Sequence, residues 1–68
     1  MQYTIIGCLG SVVGSVDNIP DVISTVQRQL PISNKTCTTL NNKLLRATPG
    51  QQVDVDYGGS GCTVLVIE

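Results

Sequence analysis

Asn18-Ile19-Pro20-Asp21-Val22-Ile23-Ser24-Thr25-Val26-Gln27-Arg28-Gln29-Leu30-Pro31 carries the clearest periodicity in the chain. Ile19, Val22, Ile23, Val26 and Leu30 follow one another at steps of 3, 1, 3 and 4, which is one stripe of an α-helix. Asn18 suits the N-cap, Pro20 suits the first turn, and Asp21 places negative charge at the positive end of the helix dipole. Pro31 ends the helix. Ser24, Thr25, Gln27 and Arg28 fall on the opposite face, so the stripe is expected to lie on a core. An interfacial membrane helix would be richer in Lys and bulky apolar residues.

Towards the C-terminus, residues 33–48 fit two structures. Cys37, Leu40, Leu44 and Leu45 match helical spacing, and Ser33 or Asn34 would cap the start. Thr36-Cys37-Thr38-Thr39 favours a strand instead, with Asn41-Asn42 as a hairpin turn. A helix over roughly 35–46 is the preferred reading. Pro49-Gly50 then turns the chain. Gln52-Val53-Asp54-Val55-Asp56-Tyr57 alternates, with Val53, Val55 and Tyr57 on one face and the aspartates on the other. Gly58-Gly59-Ser60-Gly61 reads as a hairpin connection. Cys62 to Ile67 is apolar on both faces, the mark of a central strand.

Towards the N-terminus, Tyr3 to Cys8 is β-branched and apolar, a first strand. Leu9 to Ser15 reads as a flexible connection. Glycines at 7, 10 and 14 do not make a phosphate loop, because Gly14 is followed by Ser15-Val16 rather than Lys-Ser/Thr, and the spacing G-x-G-x-x-G is absent. Ile5-Ile6-Gly7-Cys8 has the look of a lipoprotein cleavage site, but the basic and long apolar segments of a signal peptide do not precede it. The chain reads as a mature domain. The order is β-α-(α or β)-β-β, and the expected fold is α+β: a small two-layer sandwich, one or two helices on a three- to four-stranded antiparallel sheet, in a single domain spanning 1–68.

The cysteines are Cys8, Cys37 and Cys62. If short connections reverse the chain at each step, Cys8 ends the first strand at one end of the sandwich. Cys37 and Cys62 then fall at the other end. This predicts a Cys37–Cys62 bridge with Cys8 free or intermolecular, the 25-residue closure contributing roughly 3–4 kcal/mol in the chain-entropy model.

Composition excludes more than it identifies. Only 13% of the 68 residues are charged, two are Tyr, and Phe, Trp and His are absent. Without an imidazole, the usual general base of serine and cysteine hydrolases and a usual ligand of catalytic zinc are missing. A net charge of −1, with Arg28, Lys35, Lys43 and Arg46 scattered along the chain, argues against nucleic acid. No apolar run is long enough to span a bilayer. Few charges, three cysteines and many Thr, Ser, Asn and Gln side chains together suggest secretion.

Individual motifs are weak. Asp54 and Asp56 would share a strand face and hold a hard cation weakly, but an EF-hand loop starting at Asp54 would need Glu where Leu65 stands. A solvated strand face is the simpler reading. Ser60 lacks the following glycine spacing of a nucleophile elbow, because Cys62 stands there, and reads as a turn residue. The cysteine spacings match no zinc knuckle. Tyr3 and Tyr57 read as core-edge residues. Asn34-Lys35-Thr36 is a sequon, so Asn34 is a glycosylation candidate in a chain secreted by a eukaryote. No catalytic, metal or cofactor site is expected.

The stretch Val53-Asp54-Val55-Asp56-Tyr57-Gly58-Gly59-Ser60-Gly61-Cys62-Thr63-Val64 resembles the C-terminal part of small secreted proteins of filamentous fungi. The helix-and-sheet order is similar to the α/β plaits of fungal killer toxins and effectors, although those families usually have four or more cysteines. The resemblance implies a non-enzymatic extracellular module acting through its surface on a protein or cell-surface target of a host or competitor. Two alternatives remain open at this point. One is a self-associating structural protein, a homodimer through Cys8 or a strand edge. The other is a small intracellular accessory domain with reduced cysteines.

Overall fold

A computed structural model describes residues 1–57 and 60–67 of the chain. Its elements are β1 (Gln2–Ile6), β2 (Val12–Val16), α1 (Ile19–Gln29), α2 (Asn34–Arg46), β3 (Gln52–Tyr57) and β4 (Ser60–Ile67). The strands form one antiparallel sheet in the order β2-β1-β4-β3. Both helices pack on the same face, α1 over β1 and β2, α2 over β3. The architecture is therefore the expected α+β sandwich, with four strands and two helices.

The first helix follows its sequence signals. The Asn18 side chain accepts a hydrogen bond of 2.9 Å from the Asp21 N–H, and Leu30, held extended ahead of Pro31, closes the other end. Val22, Val26 and Leu30 are buried, with Ile19 and Ile23 packed against the core. Thr25, expected on the polar face, is buried as well. Its hydroxyl donates to the Asp21 carbonyl, 2.8 Å away, which satisfies the group inside its own helix, and its methyl faces Gly14 of β2.

Residues 34–46 are a helix, capped by Ser33. Here the hairpin alternative fails because Leu40 and Leu44 give the helix a stripe that the core covers, whereas Leu45, one position round, is 66% exposed. Between β3 and β1 lies β4, central as expected, with Cys62, Val64 and Val66 buried against the helices.

The segment expected to be a flexible connection is instead a turn and a strand. The Gly10 N–H donates to the Gly7 carbonyl and the Gly7 N–H to that of Ser11, both at 2.9 Å. Gly10 takes the left-handed conformation, φ 81°, that such a turn requires. Val12, Val13 and Val16 then favour a strand, and a register shift between Ile5 and Ile6 brings Val13 onto the core. The small residues hid a β-hairpin.

This hairpin adds one reversal and inverts every later direction. β1 and β4 are antiparallel with Ile6 opposite Thr63, so the Cys8 turn and Cys62 lie at the same end of the sheet. The opposite-end placement of Cys8 from which the Cys37–Cys62 bridge was predicted is thus corrected. Ser60 is corrected too: it begins β4 opposite Tyr57 rather than standing in the turn. The expected turn residues Gly58 and Gly59 lie outside the described residues.

Candidate binding groove

β3 is an edge strand, and its path is set by Thr48-Pro49-Gly50-Gln51. The Gln51 N–H donates to the Thr48 carbonyl at 3.1 Å, and Gly50, after Pro49, adopts φ 95°, the geometry of a type II turn. The Gly50 N–H then donates to the Val66 carbonyl and the Val66 N–H to that of Gln51, at 2.8 and 2.9 Å. Gly50 and Gln51 together face Val66, which is a glycine-type bulge. Ladder bonds alternate from there: Val53, Val55 and Tyr57 direct their backbone groups to β4, while Gln52, Asp54 and Asp56 direct theirs off the free edge.

Beside that edge runs α2. A groove of about 250 Å³ lies between Lys35, Thr39, Leu40 and Lys43 on the helix and Asp54 and Asp56 on the strand. It meets a second one of about 660 Å³, where Lys43 and Arg46 face Gln52 and Asp54. Lys35, Thr39 and Lys43 recur every four residues and share one helix face. Three of the four basic residues of the chain thus gather along one wall. In sequence they looked scattered, and the signal that would have found them, the i, i+4, i+8 spacing, depended on first accepting the second helix.

The open face of β3, beyond that edge, is acidic. Val53 and Val55 turn into the core, which leaves Asp54 and Asp56 exposed on the opposite face, as the alternation required. The Thr63 hydroxyl donates to the Asp54 carboxylate at 3.1 Å and fixes one of them. Among the described residues, no three His, Cys, Asp or Glu side chains converge as a metal site would need.

The remaining candidates stand outside the groove lining, although the cavity at Cys8 and Cys62 shares Asp54 and Asp56 with it. Tyr3 is buried and Tyr57 half exposed. Asn34 is exposed as the first residue of α2 rather than in a connection, its carbonyl accepting from the Thr38 hydroxyl at 3.0 Å. The cysteines are three free thiols, with Cys8 exposed, Cys37 half-buried and Cys62 buried. Cys37 accepts from the Gln27 amide at 3.2 Å, across the helix pair. Cys8 and Cys62 line one shallow cavity at the end of the sheet. Burial, and secondarily the neighbouring Cys8, push the Cys62 thiol pKa up, so it is a poor nucleophile. No helix among the described residues is long and apolar enough to cross a membrane.

Comparison of the chain with models of protein families, with curated proteins and with solved structures found no match.

Proposed function

We propose that this protein is a secreted, non-enzymatic binding module of toxin-like or effector-like character that acts through its surface on a host or a competing organism. The observation that carries this reading is the groove between α2 and β3. It sets a row of cations beside unpaired edge backbone, with a row of anions on the open face of the same strand, the elements of recognition rather than of bond-making. The sparse charge elsewhere concentrates the electrostatic pattern there.

The test is binding of the fluorescently labelled protein to fungal hyphae and plant cells, compared with a Lys35→Ala/Lys43→Ala/Arg46→Ala triple variant. Binding by the parent that the triple variant loses supports the groove. Equal binding by the two, or none by the parent, counts against it.

A second reading, self-association, has its own observation. The other edge strand, β2, carries no charged residue, and Val12 on it is 65% exposed, which leaves that edge without the usual charged guard. Light scattering that shows a dimer, abolished by Val12→Lys, would establish it. A monomer at high concentration would remove it.

A further inference from the structure

On the reading of the α2–β3 groove as the binding surface, we infer that its ligand is an extended peptide that adds to the free edge of β3 as a fifth strand, with acidic side chains towards α2 and basic ones on the open face. The backbone comes first. Gln52, Asp54 and Asp56 present an unpaired row of N–H and C=O groups, and α2 stands off that edge by a groove rather than covering it. A strand laid there gains main-chain hydrogen bonds and one helical wall.

Charge then selects the side chains. An added strand alternates its faces. Every second residue meets the Lys35, Lys43 and Arg46 wall, and those between lie across from Asp54 and Asp56. Spacing refines the choice. Lys35 and Lys43 are about 12 Å apart along the helix. Positions i and i+2 of a strand are only about 7 Å apart, and i and i+4 about 13 Å. Acids four residues apart therefore match the two lysines. A second copy of β3 does not fit this edge, because Asp54 and Asp56 of both chains would share one sheet face.

The test uses the whole chain, isotope-labelled, titrated with the capped peptide Thr-Glu-Lys-Val-Lys-Glu-Thr and followed by amide chemical shifts. Shifts are expected at Gln52, Asp54, Asp56 and the groove-facing residues of α2. A peptide of the same composition with its charges in blocks, Glu-Glu-Thr-Val-Thr-Lys-Lys, and the Lys43→Glu variant with the original peptide should each bind about tenfold more weakly. N-methylation of the alternate peptide nitrogens that would pair with β3 should abolish binding. So should Asp54→Pro, which removes an outward N–H and, with it, the carboxylate that accepts from Thr63; if that variant fails to fold, the N-methylated peptide decides.

Equal binding of the N-methylated peptide overturns strand addition and leaves the groove as the binding surface. Equal binding of the block peptide overturns the charge pattern. An absence of shifts overturns the inference, while the cell-binding comparison still judges the groove. Shifts confined to β2 or to the open face of the sheet overturn both.

Discussion

Gly61 of β4 lies so close to the Val55 carbonyl of β3 that a methyl group on its α-carbon would overlap that oxygen. The contact is with backbone in the paired β3–β4 ladder, one pair from the turn, so relief requires the strands themselves to shift. Gly61→Ala is expected to destabilise the fold by about 1–3 kcal/mol. Urea unfolding would check this, with an unchanged midpoint refuting it. Ala at Gly14, which has ordinary space beside Thr25, should cost much less in the same assay.

Leu44 and Leu45 are adjacent in sequence and opposite in fate, 1% and 66% exposed. Leu44→Ala should cost about 2–5 kcal/mol, enough to unfold much of a domain this small. Leu45→Ala should stay within about 0.5 kcal/mol of the parent. Paired thermal melts measure the contrast, and equal losses would mean that α2 is rotated from the position described.

At Asn18 the cap is more specific than usual. Its carbonyl accepts from the Asp21 N–H, while its amide donates to the carboxylates of Asp17 and Asp21 at 3.1 and 2.9 Å. Asn18→Ala should cost about 1 kcal/mol. Asp is ordinarily as good a cap, yet Asn18→Asp should also destabilise, because it would set three carboxylates together. Denaturant midpoints of the two variants at low and high salt would show this, the Asp variant recovering as salt screens the repulsion.

The thiols should separate by exposure. Alkylation of the native protein should modify Cys8 first and Cys62 last, as followed by mass spectrometry of peptides. Burial raises the Cys62 pKa above the unfolded value. Its contribution to stability is therefore fully present below the unfolded thiol pKa and is lost as pH rises through the folded value. Stability should fall as pH rises past the ordinary thiol pKa of about 8.5, and Cys62→Val should flatten that fall. An unchanged slope would mean the decline comes from other groups.

The helix at 18–31 was legible because its stripe, cap and stop signals agree, and the β3–β4 pair because alternation beside a two-faced apolar strand fits little else. The β1–β2 hairpin was not. Gly7, Gly10 and Gly14 masked three β-branched residues, and nothing in composition distinguishes a glycine turn from a glycine linker. That single omission moved Cys8 to the wrong end of the sheet, since one missed reversal inverts all that follows. Half of the candidate groove was legible: the alternation of β3 placed Asp54 and Asp56 on one face. Lys35, Lys43 and Arg46 were hidden, because their alignment exists only once residues 34–46 are known to coil.

The central pairing of β1 with β4 sets Gln2 opposite Ile67, so the middle of the sheet is made from the two ends of the described chain. Each hairpin and each helix involves neighbours in sequence and can begin to form early. The contact that unites them requires closure of nearly the whole chain, the slowest kind of step in a small domain. On a ribosome, the sheet therefore cannot assemble until its last strand has emerged. Until then the protein is one hairpin, a helix pair and an unpaired β3, each with an apolar side open to whatever it meets first.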